Sequence, residues 1–257
     1  MVWWMDVFIA VFGAAVGSFL NVCIWRLPEE RSIITPRSFC PACGHPIRFY
    51  DNIPLLSYLL LRGQCRDCRA RIPWRYPLVE VLAGALALFL FWKYGLSVKF
   101  LVAFLFVASL LVITFIDIDH QIIPDIITLP GIPIFFLAAV FVMKLPFYEA
   151  LWGLLAGGGI FYLIATMYAF LRKQEGMGGG DIKLLAMLGA FLGWKSLIFI
   201  ILISSLTAAI IGVTLMVLLG KDMKYAVPFG PFLSLAAIAY LFWGDLFMRT
   251  LLMIHHR

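Results

Sequence analysis

Charged residues are scarce in this chain of 257 residues. Asp, Glu, Lys and Arg make up 13% of the sequence, about half the share of roughly 25% that is usual in a soluble domain. Hydrophobic residues make up 63%, and the mean hydropathy is +1.00. A water-soluble globule cannot bury this much apolar surface, and a disordered chain does not contain it. The composition therefore excludes a soluble enzyme and predicts an integral protein of the lipid bilayer.

Apolar runs long enough to cross a bilayer recur throughout the sequence. A spanning helix needs roughly 20 mostly apolar residues, and eight segments are candidates, at about 3–25, 77–94, 98–117, 122–143, 147–171, 181–194, 196–219 and 228–254. We therefore predict an all-α polytopic membrane protein with about eight transmembrane helices. The sixth segment is short, and only Gly193, Trp194 and Lys195 separate it from the seventh. Seven spans are the alternative.

The first apolar segment does not have the features of a cleaved signal peptide. No basic residue precedes it, Asp6 lies near its start, and no small-residue cleavage site leads into a soluble domain. We therefore expect this segment to be retained as a helix.

Basic residues are concentrated in one long polar loop. The segment 26–75 contains nine of the twenty Lys and Arg residues. Because basic loops stay in the cytoplasm, this loop is predicted to be cytoplasmic, and with eight spans both termini lie outside. Fourteen Lys and Arg then lie inside and six outside. We attribute the net charge of +6 to membrane orientation and expect no nucleic-acid partner.

The same loop contains two C-x-x-C pairs, Cys40 with Cys43 and Cys65 with Cys68, separated by 21 residues. Paired knuckles at this spacing are typical of a tetrahedral zinc site, and a reducing cytoplasm disfavours disulfides. Four thiolates leave no position for water, so the zinc is expected to be structural. A redox dithiol or unligated thiols are the alternatives. Cys23, in the first span, is expected to be a core residue.

Three carboxylates follow the apolar run of the third span: Asp117, Asp119 and Asp125. Ionisable groups at membrane depth are costly, so each is a functional candidate. Asp117 is closest to the apolar run and is expected to be the most buried. Asp119 points to a different helix face, and Asp125 begins the fourth span, where an acid favours the helix dipole. We expect these two to be structural or solvated. The sequence places no Lys or Arg among the three acids.

A second cluster, 175–183, contains Gly178, Gly179 and Gly180 directly before Asp181, with Lys183 two residues further on. The glycines allow a close helix contact or leave a gap for an extended peptide. No strand precedes them, so a dinucleotide loop is not predicted. Taken alone, Asp181 is interpreted as a helix cap.

Together the two clusters predict a carboxylate pair on one face of the membrane. Such a pair can hold a water, with one member ionised as base and the other protonated as acid, and it needs no metal. Asp181 is expected to stay ionised because it lies at a helix N-terminus. Asp117, being more buried, is expected to hold the proton.

These motifs resemble those of the bacterial type IV prepilin peptidases, which belong to the G-x-G-D membrane aspartyl proteases. Residues 178–181 match the G-x-G-D motif, and Asp117 with Pro124 and Asp125 is similar to the partner motif. The paired C-x-x-C knuckles and the segments 17–28, 75–80 and 183–189 are similar as well. The resemblance extends in order over about residues 14–194 and leaves the last two spans without a motif.

The resemblance implies an enzyme that cuts the basic leader from prepilins and pseudopilins after a glycine, at the cytoplasmic face of the inner membrane. It also implies that S-adenosylmethionine then methylates the new N-terminal amine. The catalytic pair would be Asp117 and Asp181. Residues around this pair would form the substrate or active-site loop, namely Gly178, Gly180, Lys183, Asp119 and Asp125. Residues 1–76 would form the first helix and the zinc hairpin associated with methylation, and 77–257 the peptidase bundle.

Several interpretations stay open on the sequence alone. No adenosine-binding motif is visible, and the loop arginines fit a cofactor carboxylate, acidic lipid headgroups or a purely topological role. Asn21 and Glu80 fit either binding of substrate or methyl donor, or hydrogen bonds between helices. A transporter using the intramembrane acids is the alternative function, although the acids cluster at one face and not at the midplane. A scaffold that docks partners through the zinc loop leaves both acid clusters unexplained. The sequence does not predict the oligomeric state.

Overall fold

The computed structural model describes residues 3–172, 178–219 and 227–255. Within these ranges the regular structure is helical, apart from two isolated β-bridges in the polar loop. The α-helices are α1 (Trp3–Arg26), α2 (Leu56–Leu60), α3 (Arg75–Tyr94), α4 (Val98–His120), α5 (Asp125–Phe141), α6 (Phe147–Leu154), α7 (Phe161–Arg172), α8 (Gly179–Leu192), α9 (Trp194–Leu219) and α10 (Gly230–His255). A π-helical segment, Leu155–Ile160, joins α6 to α7.

Every predicted span is helical in the structure. Among the described residues, five helical stretches are long and apolar enough to cross a membrane: Trp3–Glu29, Arg75–Tyr94, Val98–His120, Phe147–Tyr168 and Trp194–Leu218. Two further helices, Asp125–Phe141 and Gly230–Gly244, are apolar but shorter. The predicted all-α polytopic class is confirmed. Gly193, with a φ of +84°, ends α8 and separates it from α9, so the sixth and seventh segments form two helices.

The chain divides into two compact units, Met1–Val112 and Ile113–Arg257. In the first unit, α1 and α3 pack as an antiparallel pair. A Cβ at Gly13 would lie 2.8 Å from the Cα of Gly84, and a Cβ at Gly17 would lie 2.8 Å from the Cα of Glu80. These small residues, four apart on α1, therefore let the two backbones touch, as in other membrane helix pairs.

Polar side chains at the two ends of α1 also form hydrogen bonds, one to α3 and the others to the loop that follows α1. Near the start of α1, the indole N–H of Trp92 donates to Oδ1 of Asp6 over 2.9 Å. Near its end, Arg26 is buried and donates to the carbonyl oxygens of Ser32 and Pro36, both at 2.8 Å. Cys23 is buried in the same helix, so its predicted place in the core is confirmed.

In the second unit, α8 is the central helix. The helices α5 and α6 and the π-helical segment all pack against it. Its residues from Leu184 to Phe191 are all buried. Gly153 of α6 and Gly189 of α8 bring the two backbones into direct contact, and the backbone of Gly157 lies against the carbonyl of Leu185. Because backbone contacts backbone, no side chain can repack to let α8 shift.

Candidate active site and metal site

The four loop cysteines come together in the structure. The Sγ atoms of Cys40, Cys43, Cys65 and Cys68 all lie within 4.8 Å of one another, and those of Cys40 and Cys68 are 3.8 Å apart. Zn–S bonds of about 2.3 Å in a tetrahedron place the sulfurs about 3.8 Å apart. The four thiols therefore fit a zinc ion.

The two knuckles share one backbone geometry. In the first, Cys40 N–H donates to the carbonyl of His45, and Gly44 N–H donates to the carbonyl of Cys40. In the second, Cys65 N–H donates to the carbonyl of Ala70, and Arg69 N–H donates to the carbonyl of Cys65. Gly44 and Arg69 occupy the equivalent position, with φ of +72° and +58°. This repeat orients both pairs of thiols toward the same point.

Backbone amides favour the thiolate form at one member of the cluster, Cys65, whereas the pKa values of the Cys43 and Cys68 thiols are raised. The pKa of the Cys65 thiol is lowered to about 7, because the backbone N–H groups of Cys68 and Asp67 donate to its sulfur. A thiolate is the form that binds a metal. Next to the cluster, Arg66 forms a bidentate pair with Asp51 at 2.6–3.1 Å, which lowers the pKa of that carboxyl.

In the second unit, Asp117 lies near the C-terminal end of α4 and is only 5% exposed. Its Oδ2 accepts the backbone N–H of Gly230, the first residue of α10, over 2.9 Å. A Cβ at Gly230 would lie 2.7 Å from this oxygen. A glycine is therefore required for the carboxylate to approach the start of α10 this closely.

Asp181 lies in the first turn of α8, where its N–H donates to the carbonyl of Gly178. The glycines before it differ in their surroundings. A Cβ at Gly180 would meet Cβ of Ile123 at 2.8 Å, whereas no described atom lies within 4 Å of a Cβ placed on Gly179. One glycine thus allows close packing, and the other leaves open space beside the carboxylate. The part of the predicted cluster at 175–177 lies outside the described residues.

The residues next to Asp117 and those next to Asp181 both pack against Ile123. This side chain contacts Gly180, and its Cδ1 would be 3.3 Å from a Cβ on Gly230, whose N–H donates to Asp117.

Asp125 has a partner that the sequence spacing did not reveal. Nζ of Lys183 lies 2.7 Å from both carboxylate oxygens of Asp125, so the start of α5 is linked to the first turn of α8. The sequence has no Lys or Arg among the three acids, but Asp125 is paired all the same, because its lysine comes from a distant segment. Asp119 is exposed, at the end of α4.

Gly230 was missed by the sequence analysis, which found no usable motif in the last two spans. The local signal was the pair Gly230-Pro231 at the start of an apolar run. Proline is favoured in the first helical turn, so this pair marks a helix N-terminus. Its closeness to Asp117 depends on packing between residues 113 positions apart.

These features define a multi-pass membrane protein with two buried or half-buried carboxylates near helix N-termini and a cluster of four cysteines whose geometry fits a metal ion. Two family models match the chain: the bacterial peptidase A24 N-terminal domain over residues 11–94, and the type IV leader peptidase family over residues 104–213.

Named relatives cover most of the chain. Proteins called prepilin leader peptidase/N-methyltransferase are similar to it in Pseudomonas putida, Pseudomonas aeruginosa and Legionella pneumophila, at 39%, 38% and 37% identity. The alignments cover 91%, 94% and 95% of this chain and 89%, 91% and 93% of the respective relatives. The chain belongs to the type IV leader peptidase family. No solved structure matches it. The family and the apolar helices make it a multi-pass protein of the inner membrane.

Proposed function

We propose that this protein is a membrane aspartyl endopeptidase that removes the leader of prepilins and pseudopilins and then N-methylates the new N-terminus. The observation that supports the peptidase assignment is the packing around Ile123, which contacts Gly180 beside Asp181 and lies close to Gly230, the hydrogen-bond partner of Asp117. The relatives' names carry the methyltransferase assignment. No relative named in the comparisons is a transporter, and that alternative has no support.

Cleavage proceeds by acid–base catalysis. The ionised carboxylate of the pair takes a proton from a water. The water oxygen attacks the carbonyl carbon of the glycine that ends the leader. The protonated carboxyl gives its proton to the departing nitrogen, and the peptide bond breaks. The space beside Gly179 suits an extended substrate backbone, since no side chain of the described residues lies within 4 Å of a Cβ placed there.

Each of the two acids can hold the proton in this proposal. The expectation that Asp181 is the ionised member rested on its position at a helix N-terminus. Asp117 meets a helix N-terminus too, because Gly230 N–H at the start of α10 donates to it. Proximity to a helix N-terminus therefore does not distinguish the two acids.

The surrounding residues position the pair. Lys183 and Asp125 hold the starts of α8 and α5 together, Gly180 allows α8 to approach Ile123, and Gly178 precedes the first turn of α8. Asp119, at the exposed end of α4, is placed near the substrate but outside the dyad.

The cysteine loop has a structural part in this proposal. Cys40, Cys43, Cys65 and Cys68 would hold zinc, which stabilises a loop with little core of its own. S-adenosylmethionine supplies the methyl group. The loop belongs to the methylating segment at 1–76, and the dyad to the peptidase bundle at 77–257. We propose that both lie on the cytoplasmic side, because the loop carries nine of the twenty basic residues and the eight-span topology then puts both acid clusters on the same face.

Purified protein incubated with a prepilin tests the proposal, with mass spectrometry of the pilin N-terminus. Asp117→Asn and Asp181→Asn should each lower the cleavage rate by about 10²- to 10⁴-fold, because each removes one half of the acid–base pair. Asp119→Asn, a matched change in a neighbouring acid, should have a much smaller effect. Normal cleavage by either dyad variant would refute the assignment of that carboxylate.

A further inference from the structure

The cysteine loop between α1 and α3 contains an apolar stretch beside its many arginines. Residues 53–61 include no charged side chain, and most of them are apolar. Within this stretch, α2 carries Leu56, Leu59 and Leu60. This spacing places the three side chains on one face of a helix, which we call the leucine face.

The leucine face points away from the rest of the loop. Its three residues are 50%, 71% and 73% exposed, in chain order. Other residues of α2 hold the helix to the loop. Ser57 is buried, its hydroxyl donates to the carbonyl of Tyr50 over 2.8 Å, and the ring of Tyr58 lies against Gly63. A helix on a water-soluble surface has the reverse arrangement, with its apolar face buried.

The neighbouring span α3 fixes the depth of this helix in the membrane. The N–H of Leu55, directly before α2, donates to Oε2 of Glu80 over 2.8 Å. Glu80 lies five residues after the start of α3, which corresponds to about 7–8 Å along the helix axis. The 20 residues of α3 extend about 30 Å, which is about the thickness of the hydrocarbon layer. The start of α2 is therefore level with the part of α3 that enters the membrane.

The orientation of α2 is set by the fold. Leu55 and Arg62, on either side of the helix, have φ of +61° and +51°. Residues other than glycine keep such a conformation only where their surroundings impose it. At Leu55 the Glu80 carboxylate holds the backbone N–H, and it also satisfies a donor that could not be left unpaired in lipid.

Arg62 and Trp74 border this region in the sequence, and both are exposed. Tryptophan is enriched at the boundary between membrane and water, and an arginine suits the phosphates of anionic headgroups. A protein partner with an apolar groove would also cover three leucines. It would not explain why α2 is held at the level of a spanning helix, whereas a lipid surface explains both observations.

We propose that α2 is an interfacial helix whose leucine face is embedded in the lipid leaflet next to the cysteine loop. Amphipathic helices of this kind bury their apolar face about 5–10 Å into the boundary between headgroups and acyl chains, which is the depth that the bond to Glu80 sets. Lipid thereby holds the polar loop, with its four cysteines, against the membrane. This attachment is independent of any catalytic activity of the protein.

Photocrosslinking in vesicles of phosphatidylethanolamine and phosphatidylglycerol in equal parts tests this attachment. The photoreactive amino acid benzoylphenylalanine replaces Leu59 in the full-length protein, and mass spectrometry identifies the molecule to which it becomes bonded. Asp67, an exposed residue of the second cysteine knuckle, is the control position. We expect phospholipid adducts at Leu59 and far fewer at Asp67. Adducts with protein at Leu59, no lipid adduct there, or equal lipid adducts at both positions would overturn the proposal.

Hydrogen exchange of the α2 amides gives an independent measure in the same vesicles. A helix of five residues is not stable in water by itself, so its amides are protected only where packing or lipid holds it. Leu59→Ser should speed their exchange by about tenfold to a hundredfold, the loss expected for one buried leucine side chain. Asn52→Ser, at an exposed position just before the apolar stretch, is the matched control and should leave exchange unchanged. Unchanged exchange in the Leu59→Ser protein would show that the leucine face lies in water.

Discussion

Replacement of Gly230 by alanine tests the part of the candidate active site that the sequence motifs did not indicate. The backbone of Gly230 is outside the left-handed region, so alanine is compatible with its conformation. The obstacle is the contact itself, because the new Cβ would lie 2.7 Å from Oδ2 of Asp117 and 3.3 Å from Cδ1 of Ile123. The carboxylate must move away and lose its hydrogen bond from the backbone.

The expected magnitude follows from that bond. A hydrogen bond to a charged group contributes about 1.5–3 kcal/mol, and each 1.36 kcal/mol corresponds to about a tenfold change in rate. If the whole loss falls on the transition state, Gly230→Ala lowers kcat/KM for leader cleavage by about 10- to 150-fold. Stability should fall as well, by about 1–3 kcal/mol, because the site becomes overpacked.

Initial rates of prepilin cleavage at several substrate concentrations measure this effect. Gly212→Ala in α9 is the matched control, since no described atom lies within 4 Å of a Cβ at that position. Thermal unfolding of the purified Gly230→Ala protein reports whether it is still folded. A Gly230→Ala protein that cleaves at the wild-type rate would show that the contact between Asp117 and α10 has no part in catalysis.

Two further predictions concern the metal and the ion pair. Metal analysis should find one zinc per chain. A Cys40→Ser/Cys65→Ser protein should lose the zinc, and it should lose methylation more than cleavage. Equal loss of both activities in a protein that still inserts would show that the loop is a structural element shared by both. Lys183→Met should lower the free energy of unfolding by at most about 1 kcal/mol, as for other exposed pairs. Thermal unfolding measures this change, and Asp125→Asn should match it. A much larger loss for either variant would contradict the comparison with exposed ion pairs.

Features determined by neighbouring residues could be predicted from the sequence. The helices follow from apolar runs whose length is set by the bilayer. Each of the eight predicted segments is helical in the structure. The cysteine cluster follows from two C-x-x-C pairs, because each pair defines its own tight turn. The positive φ of Gly44 belongs to that local geometry.

Features determined by packing between distant residues could not be predicted. The contact of Asp117 with Gly230 joins positions 113 apart, and the pairing of Lys183 with Asp125 joins positions 58 apart. Neither has a local pattern that distinguishes it from a helix cap or a solvated charge. Asn21 was ambiguous for the same reason, because its hydrogen bond to a carbonyl of α3 joins positions 55 apart.

The short length of α8 has a consequence for the chemistry of hydrolysis. Its 14 residues extend about 21 Å at 1.5 Å per residue, while the hydrocarbon layer is about 30 Å thick. The neighbouring α5, with 17 residues, reaches about 26 Å. Because α8 is buried among other helices from Leu184 to Phe191, its length does not have to match the lipid. Non-helical backbone at membrane depth is tolerated only where it is buried in protein or lines a water-filled cavity. The ends of α8 therefore adjoin protein or water and not lipid, and in the proposed mechanism the water that hydrolyses the peptide reaches Asp181 at the N-terminal end of this helix.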